Sequence, residues 1–271
     1  MITTYNNLKD LLIEFKNHTL WITLDRPDSS NAFSIEMIEN LVKTLELGDS
    51  DSNVRTIVIT GSGKHFCAGG DVKDMKEKSG MFAGEPNELR ERYKKGIQKI
   101  PLCFNALSTP VIAMINGAAI GAGLDLACMC DIRISSSKAK FGETFAKLGL
   151  VPGDGGTFFL QRIVGFSKAI ELTLTCDVID AKEAKDIGLI NHLVGADELQ
   201  FQTQSVLDKI NSNAPIAVQM AKRAVIHSSK NDLNSTLDLL SAYQGITQRT
   251  SDHFEALDKV FKKSSCDFKH L

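Results

Sequence analysis

The stretch VIAMINGAAIGAGLDLA, residues 111–127, decides the fold, because it joins a strand to a helix through a glycine-rich turn. Its first five residues, Val111–Ile115, form an apolar run typical of a strand that is buried on both faces. A similar unit lies upstream, where TIVIT (Thr56–Thr60) leads into GSGKHFCAGGD, residues 61–71. The order of strand, glycine loop and helix therefore occurs twice.

The composition is that of a globular protein with nearly balanced charge. The chain has 271 residues, 43% of them hydrophobic, which is enough for one large domain or for a core domain with a small appendage. Its 31 basic and 33 acidic side chains give a formal net charge of −2, which does not favour nucleic acid or an anionic membrane as a partner. We expect any bound anion to be held by local groups.

The cysteines and the hydropathy pattern predict a soluble, cytoplasmic protein. The six cysteines form no paired CxxC units, and no signal peptide is apparent before the first strand. Cys128 and Cys130 lack a second pair, so we expect them to pack in the core and expect no metal site. The longest uncharged stretch, Val111–Leu124, is shorter than the ~20 apolar residues that span a bilayer.

Local patterns predict further elements. The segment Leu11–Leu24 alternates around Asn17-His18, which predicts a β-hairpin. Ser34 precedes a helical repeat over residues 35–47, and another helix is expected near residues 88–107. We place a boundary near residue 196, between a core (1–196) and a helical region (197–271) with three helix-compatible segments: 197–211, 214–229 and 232–263.

The two glycine loops match neither of the common phosphate-binding motifs. The position three residues after Gly123 is Leu126, so the dinucleotide fingerprint fails, and Lys64 is followed by His65, so the P-loop fails. What is left is a pair of turns that can present backbone N–H donors, one of them at a helix N-terminus.

Three carboxylates accompany these loops. Asp125 lies near the start of the helix after the second loop, and Glu143 and Asp154 lie in FGETFAKLGLVPGDGGT, residues 141–157. Taken singly, Asp125 is as well explained by helix capping, and Asp154 is better explained as a solvated turn residue. Taken together, two donor loops can converge on one oxygen as an oxyanion hole, with Asp125 and Asp154 as general acid and base. A thioester with an acidic α-proton suits that arrangement.

The same residues resemble a known family. The run HFCAGGDVKDM is similar to the first signature of the crotonase (enoyl-CoA hydratase/isomerase) superfamily, and NGAAIGAGLDLACMCDIRI followed by AKFGETFAKLGLVPGDGGT is similar to the second. The resemblance implies an α/β fold, a spiral of ββα units, with a C-terminal helical region that forms a homotrimer or a dimer of trimers. It also implies a CoA thioester whose carbonyl is held by the N–H groups of Gly70 and Ala122.

The resemblance places further residues along the CoA moiety. It assigns the Ala68 carbonyl to the adenine, and it puts Arg26 and Ala32 in the loop at the nucleotide end. The residues that follow from Gly70 along the CoA channel are Asp71, Val72 and Lys73. No cofactor beyond the CoA of the substrate and no metal is expected.

The chain departs from the hydratase pattern at two positions. Hydratases of the prototype carry glutamate where this chain has Asp125, and a second glutamate where it has Phe145. Related isomerases and hydrolases place an aspartate where this chain has Gly153, one residue before Asp154. Asp154 is therefore the candidate for the missing carboxylate, and Glu143, which points to the side of Phe145 if the segment is extended, is a weaker one.

These observations predict an enoyl-CoA hydratase or isomerase that forms an enolate, in fatty-acid or related acyl-CoA metabolism. A thioester hydrolase or a decarboxylase on the same scaffold is the first alternative. A non-catalytic binder of CoA esters, suggested by Phe145, is the second.

Overall fold

The computed structural model describes residues 5–262, 268 and 269, apart from the side chains of Lys259 and Lys262. The end of the segment predicted to be helical over 232–263 lies outside the described residues.

Strands and helices alternate over the first two thirds of the described chain. The strands are β1 Leu11–Lys16, β2 Thr19–Leu24, β3 Thr56–Gly61, β4 His65–Cys67, β5 Val111–Ile115, β6 Ala118–Ile120, β7 Ile132–Ser136, β8 Lys140–Gly142, β9 Val178–Asp180 and β10 His192–Val194. The helices are α1 Ile35–Ser50, α2 Val72–Glu77, α3 Pro86–Lys95, α4 Lys99–Ala106, α5 Ala122–Met129, α6 Gly156–Val164, α7 Phe166–Thr175, α8 Ala181–Asp186, α9 Leu199–Asn211, α10 Pro215–Ser228, α11 Leu233–Thr247 and α12 Ser251–Lys262.

The local predictions for the N-terminal part are confirmed. Strands β1 and β2 pair antiparallel, and the turn between them holds Asn17 and His18 at positive φ. Helix α1 begins after Ser34, whose hydroxyl accepts a hydrogen bond from the Met37 N–H at 2.9 Å. Each of these features depends on neighbouring residues, so the sequence pattern is sufficient to predict it.

The strands form two sheets. The larger has the order β1-β2-β3-β5-β7-β10, and every residue of β3 and β5 is buried, as their apolar runs predict. The smaller has the order β4-β6-β8-β9, in which β4, β6 and β8 run parallel. Since parallel strands end at the same edge of a sheet, the loops that follow β4, β6 and β8 lie side by side.

Two expected helices are each divided in two. The helix predicted near residues 88–107 ends at Lys95, and α4 begins at Lys99. Gly96 is a poor helix former and Pro101 lacks the N–H that a continuous helix needs, which accounts for the break. The segment 232–263 breaks between α11 and α12, where the Thr250 hydroxyl accepts a hydrogen bond from the His253 N–H at 3.2 Å.

The first helix beyond residue 196 packs on the larger sheet. Leu199, Val206 and Leu207 of α9 join a buried cluster with Val58 and Ile112 of the central strands. A boundary at residue 196 stays a prediction. Among the described helices, none combines the length and the apolar character that a bilayer span requires.

Candidate active site

The loops after β4 and β6 are in direct contact. Gly69 has φ +84° and Gly121 has φ +52°, a backbone region that favours glycine. A Cβ placed on Gly69 would lie 2.8 Å from the Ile120 carbonyl oxygen and 2.9 Å from the Ala122 nitrogen. A side chain at position 69 would therefore force the two loops apart.

The close approach leaves two amide donors beside each other. Ala122 is the first residue of α5, so its N–H has no acceptor within the helix. Across the described part of the chain, neither the Gly70 N–H nor the Ala122 N–H has a backbone acceptor. The N-terminal end of α5 also contributes a partial positive charge at this point.

Three carboxyl groups are buried next to the start of α5. The side chain of Asp125 is on α5, Glu143 follows β8 directly, and Asp154 is on the loop before α6. They are 0%, 1% and 3% exposed, respectively. With all three groups ionised, both oxygens of Asp125 and both oxygens of Glu143 lack a hydrogen-bond partner among the described residues. The same holds for the Oδ1 atom of Asp154. Buried polar groups without a partner are rare in folded proteins, which marks this cluster as unusual.

The carboxyl group of Asp125 lies between the other two. It is within hydrogen-bonding reach of both Asp154 and Glu143 once a proton is present. Burial, followed by the charges of Asp154 and Glu143, raises the pKa of Asp125 well above its usual range. Burial also raises the pKa of Asp154, and it raises the pKa of Glu143 to about 7. The proton held between these groups therefore resides mainly on Asp125.

The position of Asp125 depends on Gly156, the first residue of α6. A Cβ placed on Gly156 would lie 2.1 Å from Oδ1 and 2.5 Å from Oδ2 of Asp125. In the sequence this glycine is the second of the pair Gly155-Gly156 directly after Asp154, and no motif links it to Asp125.

The loop that carries Asp154 is held by the segment α3–α4. The Gln98 side chain donates a hydrogen bond from Nε2 to the Gly153 carbonyl oxygen at 2.8 Å. The Tyr93 ring packs on the other side, because a Cβ on Gly153 would lie 2.8 Å from it. Burial and the nearby Asp154 charge raise the pKa of the Tyr93 hydroxyl. Gln98 and Tyr93 were missed at the level of sequence because they contact the loop from more than fifty residues away.

Two of the roles that the sequence leaves open for these aspartates are wrong. Asp154 is buried and is not a solvated turn residue, because α3, α4 and α5 close over its loop. Asp125 does not cap α5, because the N-cap residue of this helix is Gly121. Among the described residues, no hydrogen-bond donor reaches the Asp125 oxygens.

The segment between Glu143 and Phe145 is not extended. Thr144 has φ −93° and ψ 15°, and Phe145 begins a short 3₁₀ helix. The Phe145 ring packs against the Gly121 turn, where a Cβ would lie 3.7 Å from it. Phe145 thus covers the start of α5 with an apolar ring, while Glu143 is buried against Asp125.

A cavity of about 610 Å³ adjoins the donor loops. Met75 and Phe82 line this cavity and also pack against Gly70. A Cβ placed on Gly70 would lie 2.4 Å from the Met75 side chain and 3.1 Å from the Phe82 ring. Tyr93, which contacts the Asp154 loop, lines it as well. The cavity therefore reaches from the Gly70 turn to the loop that carries Asp154. Its other lining residues are mostly apolar or small: Lys78, Gly84, Glu85, Pro86, Leu89, Leu148 and Leu150.

The residues that the resemblance assigns to CoA form one neighbourhood. Arg26 donates from Nη1 to the Ala32 carbonyl oxygen, and its guanidinium lies 3.5 Å from the Asp71 carboxylate. Asp71 caps α2 by accepting a hydrogen bond from the Lys73 N–H at 3.0 Å. The Ala68 N–H donates to the Ser30 carbonyl oxygen at 3.0 Å.

The exposure of these residues differs. Val72 and Lys73 are exposed, whereas Ala32 is buried. Arg26 is also 3.8 Å from Asp10, so its charge is already shared between two carboxylates. Lys73 is therefore the freer of these two cations to meet an anion.

Comparisons with known proteins identify the family of the chain. The model of the enoyl-CoA hydratase/isomerase family matches residues 14–270. The short-chain-enoyl-CoA hydratase of Clostridium acetobutylicum is 35% identical, over 94% of this chain and 96% of its own length. The crotonyl-CoA hydratase of Syntrophomonas wolfei is 33% identical, over 96% of this chain and 98% of its own.

The fold of this chain matches that of a solved structure over the whole length of the latter. The crystal structure of enoyl-CoA hydratase from Bacillus anthracis has a TM-score of 0.90 and 32% identity, covering 97% of this chain and 100% of the other. The chain therefore belongs to the enoyl-CoA hydratase/isomerase family of the crotonase superfamily, and it is an enzyme of that family.

Proposed function

We propose that this enzyme adds water to, or shifts, the double bond of an enoyl-CoA thioester through an enolate. One observation carries the proposal: buried Asp125 on α5 and buried Asp154 on the loop before α6 accompany the N–H groups of Gly70 and Ala122, which have no backbone acceptor among the described residues. The two amides are placed to hold the thioester oxygen as an oxyanion hole, a contribution of about 3 kcal/mol per donor to lowering the barrier.

The two carboxyl groups have different protonation states. Asp125 is fully buried and receives repulsion from two neighbours, so it holds its proton. Asp154 has one oxygen buried without a partner among the described groups, and its contact with the Asp125 proton favours its ionised form. A pair of carboxyls whose environments separate their pKa values supplies an acid and a base at one site. Asp125 is the acid and Asp154 is the base.

In hydration, Asp154 and Asp125 carry one proton transfer each. The Asp154 carboxylate takes a proton from water while the water oxygen bonds to the β-carbon, and the electrons of the double bond move onto the thioester oxygen. The Asp125 carboxyl group then gives its proton to the α-carbon. The proton on Asp154 returns to Asp125, which lies within hydrogen-bonding reach, and this restores both groups. In isomerisation the same two groups remove one proton and return another.

The remaining residues bind the substrate. Gly70, with Asp71, Val72 and Lys73, lies along the pantetheine side, and the exposed Lys73 supplies a positive charge for a CoA phosphate. Arg26, Ala32 and the Ala68 carbonyl form the nucleotide end. The cavity lined by Met75, Phe82, Leu148 and Leu150 takes an apolar acyl chain. No group besides CoA is needed for this chemistry.

The protein acts as a homotrimer or as a dimer of trimers in the cytoplasm. The C-terminal helices expose large apolar side chains, including Leu233 at 70% and Leu237 at 51% on α11 and Phe254 at 54% on α12. Apolar surface on this scale favours association between subunits.

The experiment is incubation with 2-enoyl-, 3-enoyl- and 3-hydroxyacyl-CoA esters and identification of the products. We expect hydration or double-bond migration, and loss of turnover in Asp154→Asn while CoA-ester binding is kept. Asp177→Asn, the same change at an exposed aspartate, is the control. Release of free CoA thiol identifies a hydrolase instead, and binding without any reaction identifies a non-catalytic protein.

A further inference from the structure

Glu143 is the member of the buried carboxyl cluster that the reaction above does not use. It is 1% exposed, and neither of its oxygens has a hydrogen-bond donor among the described residues. A glutamate with only a structural role is ordinarily paired with a cation or with backbone N–H groups, because an unpaired buried charge is costly.

The backbone fixes Glu143 against Asp125. The Gly142 carbonyl oxygen accepts a hydrogen bond from the Gly121 N–H at 2.8 Å, which joins the end of β8 to the residue that begins α5. Glu143 follows Gly142 directly, and its carboxyl group lies within hydrogen-bonding reach of Asp125 on α5. A Cβ on Gly142 would lie 3.0 Å from Val178 of β9, so β8 is also confined from the other side.

The titratable groups around Glu143 offer it no positive partner within the described part of the molecule. Asp125 and Cys128 face it from α5, and Asp154 faces it from the loop before α6. The Arg133 guanidinium, whose charge reaches Cys128, donates to the carbonyl oxygens of Leu189 at 2.7 Å and Cys130 at 2.6 Å.

The charged groups of the neighbouring β9, α7 and α8 lie at the surface. Lys168 pairs with Glu171 at 3.1 Å and with Glu183 at 3.5 Å. The charge of Lys140 is among the interactions that lower the pKa of Asp180. The neighbours that determine the electrostatics of Glu143 are therefore Asp125 and Asp154.

We propose that Glu143 is a positioning residue whose carboxylate keeps the neighbouring Asp125 protonated, so that Asp125 acts as the acid while Asp154 acts as the base. The negative charge of Glu143 makes loss of the Asp125 proton unfavourable, and its oxygens accept that proton in a hydrogen bond when Asp154 is occupied with water. Asp125 thus donates to Glu143 while Asp154 holds the water molecule, and it keeps its proton until the α-carbon takes it. This inference rests on the proposed acid role of Asp125.

Glu143→Gln tests the inference through the pH dependence of kcat. Removing the charge lowers the pKa of Asp125, so the alkaline limb of the profile moves to lower pH by about one unit or more. The maximal rate at low pH stays within a few fold, because Glu143 does not touch the substrate. Glu143→Asp keeps the charge and is expected to restore most of the wild-type profile. Glu171→Gln, the same change on the surface of α7, leaves the profile unchanged.

A second measurement does not depend on turnover. The infrared carbonyl band of a protonated carboxyl group, assigned by its absence in Asp125→Asn, is titrated in wild type and in Glu143→Gln. We expect the band to disappear at lower pH in Glu143→Gln, and Glu143→Leu serves in the same way if the glutamine variant does not fold. An unchanged titration of this band overturns the role of Glu143. Absence of acyl-CoA turnover in wild type refutes the proposed function instead, so the two failures are distinguishable.

Discussion

The carboxyl group of Asp125 occupies the space that any side chain on Gly156 would need, since a Cβ there would lie 2.1 Å from Oδ1. Asp125 comes from α5 and Gly156 begins α6, so two helices that are separate in sequence jointly fix one carboxyl group. Asp125, the acid of the proposed reaction, can therefore take this position only because residue 156 has no side chain.

Gly156→Ala is expected to lower kcat by about 10²-fold to 10⁴-fold, the usual contribution of a general acid or base. The change does not strain the backbone, because Gly156 has helical geometry and alanine is a better helix former than glycine. The loss therefore reports displacement of Asp125. Steady-state kinetics and CoA-ester affinity are the measurements.

The matched control is Gly245→Ala on α11, where a Cβ meets no atom within 4 Å. This variant is expected to keep the wild-type rate. If Gly156→Ala also keeps it, Asp125 does not act from the position described.

Gln98→Leu tests how the Asp154 loop is positioned. The change removes the 2.8 Å hydrogen bond to the Gly153 carbonyl oxygen and leaves a side chain of similar size. A shift of the loop by about 1 Å is expected to lower kcat by up to ~10²-fold with a smaller effect on KM. Gln161→Leu removes a similar bond, to the Thr157 carbonyl oxygen on the exposed face of α6, and is expected to have no such effect. Equal kinetics for the two variants would count against a positioning role for Gln98.

The carboxyl cluster also makes folding stability depend on pH. The pKa of Glu143 rises from 4.5 to about 7 on folding, so the native state binds more protons than the unfolded state between those values. The free energy of unfolding therefore falls as pH rises through this window, by roughly 3 kcal/mol for this group.

Urea unfolding at pH 5 and pH 8 measures the effect. Glu143→Gln is expected to lose less stability than wild type between the two values, and Glu171→Gln is expected to behave as wild type. A Glu143→Gln curve that keeps the full wild-type pH dependence contradicts the assignment.

Leu237→Glu tests the proposed oligomer. Leu237 on α11 is 51% exposed, and a charge buried at a subunit interface is costly. We expect wild type to have about three or six times the protomer mass of 29.6 kDa by light scattering, and the variant to dissociate. A monomeric wild type excludes the trimer.

The sequence was sufficient where structure depends on near neighbours. The hairpin at Asn17 and the cap at Ser34 are examples, and the glycine loops at Gly69 and Gly121 were located as well. The burial of Asp154 could not be predicted, because it depends on contacts made by Tyr93 and Gln98 from distant helices.

Glu143 shows the same limit. Its spacing from Phe145 implied a common side only for an extended segment, whereas Thr144 turns the chain into a 3₁₀ helix. The hydrogen bond from the Gly121 N–H to the Gly142 carbonyl oxygen joins the start of α5, which carries Asp125, to the residue before Glu143, and no short motif encodes it.

In the proposed reaction Asp125 delivers a solvent-derived proton to the α-carbon while Asp154 acts as its base partner. The most direct test is the rate at which deuterium from heavy water enters the α-carbon of an acyl-CoA substrate, compared among wild type, Asp125→Asn and Asp154→Asn. We predict rapid labelling by wild type and a loss of about 10²-fold or more in both variants. Labelling by either variant at the wild-type rate would contradict the account.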